Sequence, residues 1–224
     1  MIQLKNLDEE EISVNTSNTE IKAQESRWER NRRLSFDLEA RTIWVEGEIE
    51  ADFGCWFQTV MFELERLDKD APVTIWLCTP GGDVTSSYQF YDMVRAAPFK
   101  VTIIGHGEIC SAGVIMLACG HERLVMETCA LMAHEYRGST TDADTRYSEA
   151  KDRRQYEDWL SDNWFEAMAR HTKWDAATWR KKQEKKAEIW LLGAQAIIDV
   201  GIADGVYNPH NMLIEPEPRT NSLE

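Results

Sequence analysis

Gly107-Glu108-Ile109-Cys110-Ser111-Ala112-Gly113-Val114 follows the apolar run 101–104 and leads into a second apolar run, 114–118. This pattern predicts a β-strand, a sharp turn at Ser111 and a buried helix. A hydroxyl at such a turn can act as a nucleophile, and the peptide N–H groups at the helix start can hold the product oxyanion. The alternative is a serine N-cap, which only satisfies free N–H groups. Two other stretches of the chain favour the nucleophile.

The first of these stretches is an apolar run, residues 75–78, that ends in Pro80-Gly81-Gly82. Paired glycines let the backbone come close to another group and let its N–H groups point outward, although an ordinary turn has the same composition. The second is the apolar segment 131–133, which His134 closes. An imidazole titrates near neutral pH and can serve as a base, although a half-buried structural histidine fits the same position.

In this order, a glycine turn, a serine turn and a histidine, the sequence resembles the proteolytic subunit of the Clp protease. The resemblance runs from Arg41 to Asp204 and is carried by the segments 41–49, 80–84, 107–113, 132–134, 169–172 and 201–204. It implies an α/β fold, a Clp protease/crotonase-like spiral of β-α-β units with a protruding handle helix. It also implies that Ser111 is the nucleophile and His134 the general base. The oxyanion-hole amides would come from Gly82 and Ala112.

The third member of the implied catalytic triad is an acid, and two ways of counting give two positions. Counting back without gaps from the last matching segment gives Ile189, whereas the pair Trp190-Leu191 gives Glu188. We prefer Glu188, because only a carboxylate can hold an imidazolium and fix its tautomer. A solvent-facing charge is the alternative role for this residue. Asp199 and Asp204 are possible substitutes, although the resemblance assigns both to the end of a structural helix.

Two neighbours of Ser111 bear on its role. A carboxylate at Glu108 would oppose a developing oxyanion unless it points away. Cys110 is a rival nucleophile, which the resemblance ranks below the serine. The chain has five cysteines and no C-x-x-C pair, so we expect buried thiols rather than a disulfide framework or a zinc site. We expect no cofactor and no metal.

Composition is typical of a cytoplasmic enzyme. The 224 residues suffice for one sizeable core, and we expect one α/β domain. The net charge of -14 argues against a nucleic-acid partner. No run of about 18 apolar residues is present, so we expect no membrane partner. The first residues lack the basic start and apolar core of a secretory signal. A Walker A motif is absent, so the chain is not expected to hydrolyse ATP.

Alternating strands and helices predict a parallel sheet. The predicted strands are 42–46, 73–78, 100–104 and 123–126, and the predicted helices are 56–67, 84–96 and 111–119. A long amphipathic helix is predicted from about Thr145 to Arg170; it looks like the family's handle, with packing back on its own domain as the alternative. The expected organisation is a flexible acidic arm at 1–38, a protease domain at 39–208 and a mobile tail at 209–224.

The resemblance implies a serine endopeptidase that cleaves unfolded polypeptides inside a chamber. The chamber would be a homo-oligomer of two stacked heptameric rings, fed by a separate AAA+ unfoldase. One alternative is a catalytically inactive ring subunit. Another is a crotonase-like acyl-CoA enzyme, which shares the spiral fold and glycine-rich oxyanion holes but needs neither the serine nor the histidine. A Ser-Lys peptidase is a further variant, although His134 supplies a base without a lysine.

Overall fold

A computed structural model describes residues 35–137 and 146–209 of the chain. In these ranges, strands and helices alternate along most of the sequence. The strands are β1 (Phe36–Asp37), β2 (Thr42–Glu46), β3 (Val73–Thr79), β4 (Val101–Cys110), β5 (Glu122–Val125), β6 (Ala130–His134), β7 (Glu188–Leu192) and β8 (Gly205–Val206). The helices are α1 (Phe53–Leu67), α2 (Val84–Ala96), α3 (Ala112–Ala118), α4 (Tyr147–His171), α5 (Ala176–Lys185) and α6 (Ala194–Val200).

All of these strands belong to one sheet, whose main path is β1-β2-β3-β4-β5-β8. Neighbours from β2 to β8 on this path are parallel, whereas β1 is antiparallel to β2. Strand β6 lies off the path and pairs parallel with β4 and antiparallel with β7. The predicted α/β class with a mainly parallel sheet is confirmed.

Strand β4 pairs with two strands in succession, because its register with β3 shifts between Leu77 and Thr79. Residues 102–105 of β4 pair with β5, and residues 108–110 pair with β6. Such an irregularity bends a strand and re-aims the residues that follow it. The carboxyl end of β4, with Ser111 directly after it, therefore lies beside the strand that ends in His134.

The core lies between the sheet and the helices that cross it. Side chains of β3 alternate between buried and partly exposed, as a period of two requires, and its buried set faces the helices. Helix α3 is buried along its whole length. Helices α1 and α2 are joined by Phe57 and Phe90, whose ring centroids are 4.3 Å apart. This packing gives the loops after β3 and β4 a rigid base.

The long helix α4 has two halves with different surroundings. Residues 148–159 are almost all exposed, and Tyr156 and Trp159 are 50% and 58% exposed. From Leu160 onward the helix buries side chains such as Met168 against the core, and Leu160 O accepts a hydrogen bond from the hydroxyl of Tyr88 (2.6 Å). The first half of the helix therefore matches the prediction of an exposed handle. The second half matches the alternative, in which the helix packs on its own domain.

Other predicted elements differ from the structure mainly in length. The strands at 42–46 and 73–78 and the helix at 84–96 are present, while β4 continues to Cys110 and α1 begins at Phe53. Strand β1 pairs with β2, so residues 36–37 already belong to the sheet. Most of the predicted N-terminal arm and C-terminal tail lies outside the described residues. Within residues 35–137 and 146–209, no helix is both long and apolar enough to cross a membrane.

A half-buried histidine joins the end of α4 to the sheet. The Nε2 atom of His171 lies 2.9 Å from the hydroxyl of Tyr91. The backbone carbonyl of His171 accepts a hydrogen bond from Arg123 Nη1 at 2.6 Å. Burial, and to a lesser extent the positive charges of Arg95, Arg123 and Arg170, lower the pKa of His171 to about 4. The imidazole is therefore neutral in the folded protein at neutral pH.

This lowered pKa predicts a loss of stability in mild acid. Between about pH 6.5 and 4 the unfolded chain binds a proton at His171 that the folded protein does not, so the free energy of unfolding falls as the pH decreases. We expect the contribution to be about 1 kcal/mol between pH 7 and 5, reduced by the partial exposure of the ring. The variant His171→Gln should flatten this dependence in urea unfolding, whereas Tyr91→Phe should keep it. An unchanged dependence in His171→Gln would assign the acid sensitivity to another group.

Candidate active site

The glycine turn after β3 is held at its base by Thr79, which is fully buried. Its hydroxyl donates to the carbonyl that follows β2 (2.6 Å) and accepts from the N–H of Gly81 (3.0 Å). Gly81 and Gly82 have φ values of 99° and 143°, which favour glycine. A Cβ on Gly81 would lie 2.6 Å from the Cβ of Ser111. A Cβ on Gly82 would meet the backbone of Ile49. The absence of side chains is what lets this turn approach the serine.

Ser111 occupies the turn between β4 and α3, with φ 55° and ψ -121°. A positive φ is uncommon for a residue with a Cβ and has to be held by its surroundings. Here the N–H of Ser111 donates to the carbonyl of Met132 at 2.7 Å, which ties the turn to β6. The hydroxyl makes no capping hydrogen bond to α3. The structure therefore gives no support to the N-cap alternative and leaves the Ser111 oxygen available.

His134 ends β6 and lines the same cavity as Ser111. Its Nδ1 atom contacts the backbone carbonyl of Glu135. A carbonyl oxygen can only accept, so Nδ1 carries a proton, and in the neutral imidazole Nε2 is then the nitrogen with the free lone pair. Among the described residues, the ring has no hydrogen bond to the Ser111 hydroxyl. The imidazole thus has the tautomer that a general base needs, and a contact with the serine requires a movement of one side chain.

Strand β7 places Glu188 directly opposite His134 in an antiparallel register. Residues opposite each other in such a pair point to the same face, with Cβ atoms about 4.5–5.5 Å apart. The Glu188 carboxylate accepts instead from Arg137 Nη2 (3.3 Å) and from Trp190 Nε1 (3.0 Å). The structure brings this acid next to the histidine without forming a hydrogen bond between them.

The other positions considered for the acid are engaged elsewhere or apolar. Asp204 accepts from the backbone N–H of Arg123 (2.9 Å) and from its Nε (3.0 Å). Asp199 accepts from Gln195 Nε2 at 2.8 Å. Ile189 is buried in the core. Of these candidates, only Glu188 is a carboxylate on the strand that pairs with β6.

Two residues that line the cavity beside Ser111, Gly82 and Ala112, have backbone amides outside the regular pairing. The bridge between Ile49 and Gly82 uses the N–H groups of Ile49 and Asp83, which leaves the N–H of Gly82 outside this pairing. Ala112 is the first residue of α3, and the first N–H groups of a helix have no partner within it. The position of a Cβ on Gly81 lies 3.1 Å from the N atom of Ala112, so the glycine turn packs directly against this amide.

The cavity that these residues share has a volume of about 370 Å³. Gly82, Ser111, Ala112 and His134, all named in the sequence analysis, lie along it. It is also lined by residues that the sequence analysis did not select: Tyr136, Arg137, Leu160, Trp164, Phe165 and Gln183. The only sequence signals that could have pointed to these lining residues are two four-residue spacings, from Leu160 to Trp164 and from Trp179 to Gln183. In the ranges that the structure describes, no cluster of His, Cys, Asp or Glu is arranged to hold a metal ion.

Two neighbours of Ser111, Glu108 and Cys110, differ from it in their surroundings. Glu108 is exposed and is not among the described residues that line the cavity. Burial raises the pKa of the Cys110 thiol, and the negative charge of Glu108 adds to this. A raised pKa keeps the thiol protonated and unreactive at neutral pH.

Comparison with known proteins identifies relatives of this arrangement. The family model described as Clp protease matches residues 24–210. The "ATP-dependent Clp protease proteolytic subunit 2" of Treponema pallidum is 38% identical over 80 residues, which cover 36% of this chain and 40% of that protein. The protein of the same name in Borreliella burgdorferi is 30% identical over 86 residues, covering 38% of this chain and 43% of the relative. The chain thus matches less than half the length of these two relatives.

A longer match links the chain to subunit 1 proteins. The "ATP-dependent Clp protease proteolytic subunit 1" of Mycolicibacterium paratuberculosis is 26% identical over 177 residues, which cover 75% of this chain and 79% of that protein. The family model covers most of the sequence, including the glycine turn, the serine turn and the histidine. The predicted fold class is confirmed, and the chain belongs to the Clp protease family.

Proposed function

We propose that the chain is a serine endopeptidase subunit in which Ser111 attacks the carbonyl carbon of a peptide bond. The observation that carries the proposal is the strained turn at Ser111. The Ser111 side chain makes no capping hydrogen bond and lines the same cavity as His134. Nε2 of His134 would take the hydroxyl proton as the Oγ–C bond forms. The same proton would then pass to the leaving amine as the C–N bond breaks, and water would hydrolyse the acyl-enzyme by the same route.

The amides of Gly82 and Ala112 are proposed to stabilise the oxyanion of the tetrahedral intermediate. Both line the cavity beside Ser111, and both are backbone groups whose positions are fixed by tight packing. Donors that are already in place cost no reorganisation when charge develops on the carbonyl oxygen. Glu188 is proposed as the acid that stabilises the His134 imidazolium, after its side chain turns from Arg137 and Trp190 toward the ring.

The experiment that tests this function is covalent labelling with a fluorophosphonate probe. A serine with an adjacent base forms a stable phosphonyl ester with displacement of fluoride. We expect the purified protein to be labelled at the peptide that contains Ser111, as mapped by mass spectrometry, and to cleave unstructured peptides. Labelling at another residue, or no labelling while peptides are cleaved, would remove Ser111 from the nucleophile's role.

A closed oligomer fed by an ATPase is the further part of the proposal. The relatives are named as subunits of an ATP-dependent protease, and this chain has no Walker A motif, so ATP hydrolysis would belong to a separate unfoldase. The exposed half of α4 carries the stacked rings of Tyr156 and Trp159 and offers a surface for stacking two heptameric rings. Five free thiols are consistent with a cytoplasmic location. Native mass spectrometry is expected to show the ring assembly, and a monomer would contradict the chamber.

The second candidate function is a catalytically inactive ring subunit. It is favoured by one observation: the imidazole of His134 and the carboxylate of Glu188 are each bound to other groups instead of to each other. An assembled ring that is neither labelled nor active on peptides would support this candidate.

A further inference from the structure

Gln183 is a buried polar residue whose amide has no partner among the described residues. It lies in the last turn of α5, where its side chain is 3% exposed, one turn after the fully buried Trp179. Neither its Oε1 nor its Nε2 makes a hydrogen bond with the described residues. Buried polar groups are nearly always paired, because an unpaired one loses its hydrogen bonds to water without replacement. A buried amide without hydrogen bonds indicates a position where a bound group can pair with it.

Gln183 is one of the residues that line the cavity with Ser111 and His134. Helix α4 contributes the apolar side chains of Leu160 and Trp164 to the same cavity, and Trp164 packs on Trp179 of α5. Three charged residues line the cavity, and all three are exposed: Glu48, Glu135 and Arg137. The cavity therefore combines apolar side chains with a buried, neutral glutamine, and its volume of about 370 Å³ is in the range of pockets for small ligands.

We infer that Gln183 is a specificity-determining residue: the cavity receives the substrate side chain on the acyl side of the scissile bond, and the Gln183 amide selects an uncharged side chain that ends in an amide. This inference rests on the proposed function, because the position of the scissile bond is set by Ser111. Glutamine is the substrate residue that fits best, since its methylene stem can pack against Leu160 and Trp164.

The chemistry of the amide explains the selection. A primary amide on the substrate can donate to Oε1 of Gln183 and accept from its Nε2, so all of the buried groups are satisfied. Methionine has a similar shape and offers neither group, which leaves Gln183 unpaired. A carboxylate or an ammonium group would be buried beside a neutral partner and would lose its hydration without an opposite charge. Sites built to hydrogen-bond a substrate reject the analogue that lacks the group.

The experiment compares fluorogenic peptides that differ only in the residue before the scissile bond: Gln, Met, Glu or Lys. We expect the wild-type protein to cleave the Gln peptide with a kcat/KM about tenfold higher than the Met peptide, and to cleave the charged peptides least. In the Gln183→Met variant, the ratio of kcat/KM for the Gln peptide to kcat/KM for the Met peptide should fall to one or below. Glu184→Gln, at an exposed neighbouring position on the same helix, should keep the wild-type ratio.

A second measurement separates this inference from the proposed function. Fluorescence anisotropy with the Ser111→Ala protein measures binding of labelled product peptides that end in Gln or Met, and needs no turnover. A preference for Gln that disappears in Ser111→Ala/Gln183→Met supports the amide site, even if the wild-type protein cleaves nothing and the proposed function fails. The inference is overturned if the Gln and Met peptides are cleaved with equal kcat/KM and bound with equal affinity. The proteins compared must be folded, with wild-type circular dichroism.

Discussion

Ser111→Ala is expected to lower kcat for peptide cleavage by about a million-fold, as loss of the nucleophile does in a serine protease with a catalytic triad. The oxyanion amides and the substrate cavity remain in this variant, so weak acceleration over the reaction in water persists. Alanine keeps the Cβ, and the positive φ of Ser111 is therefore no more strained than before. Cleavage of a fluorogenic peptide and loss of fluorophosphonate labelling measure the effect.

Cys110→Ala is the matched control for this substitution. The thiol is buried and its raised pKa keeps it protonated, so its loss should change kcat/KM by no more than severalfold. Its effect on stability should be small, because alanine retains part of the buried volume. The opposite pattern, with an inactive Cys110→Ala and an active Ser111→Ala, would make the cysteine the nucleophile.

The sequence was sufficient to predict the elements that have strong hydrophobic periodicity. Apolar residues alternate along β3 and recur at helical spacing along α2, because one face of each element is buried. Such a pattern can be recognised from neighbouring residues in the sequence alone. Strand β7 was missed because its burial follows no simple alternation, and its side chains at Trp190 and Leu192 are exposed. Helix α5 was missed because its charged run indicates a solvated surface, although Trp179 and Gln183 are buried on its inner face.

The length of β4 shows how tertiary pairing overrides a local signal. Gly105 and Gly107 interrupt the apolar run and predict the end of a strand. The strand continues because its last residues find a second partner in β6, and that pairing depends on a register shift against β3. No local pattern contains that information. The predicted turn at Ser111 was correct in position because small residues and a buried helix follow it directly.

The candidate site was predictable in its residue types and less so in its contacts. The family resemblance, carried by the order of glycine turn, serine and histidine, pointed to Gly82, Ser111 and His134, and these residues line one cavity. Sequence counting alone could not decide between Glu188 and Ile189, whereas the register of β7 places the glutamate opposite the histidine. The hydrogen bond from Arg137 to Glu188 joins residues far apart in the chain, so sequence spacing gives no sign of it.

Glu188→Gln is expected to lower kcat by about 10⁴-fold, which is the effect of losing the acid in Ser-His-Asp enzymes. The glutamine amide carries no charge to stabilise the imidazolium, and its N–H groups favour the wrong tautomer of His134. Glu188→Asp should keep activity within about tenfold, because a carboxylate remains on β7 opposite the histidine. Steady-state kinetics on one fluorogenic peptide compare the three proteins.

Arg137→Gln is the informative companion to this substitution, because it removes one of the two groups that hold the Glu188 carboxylate away from the ring. If the carboxylate must turn toward His134 for catalysis, releasing it should leave kcat unchanged or raise it. The Glu135 carbonyl already accepts from Nδ1 and offers a competing way to orient the ring. Full activity in Glu188→Gln would show that this carbonyl suffices, and that the carboxylate of Glu188 serves only Arg137 and Trp190.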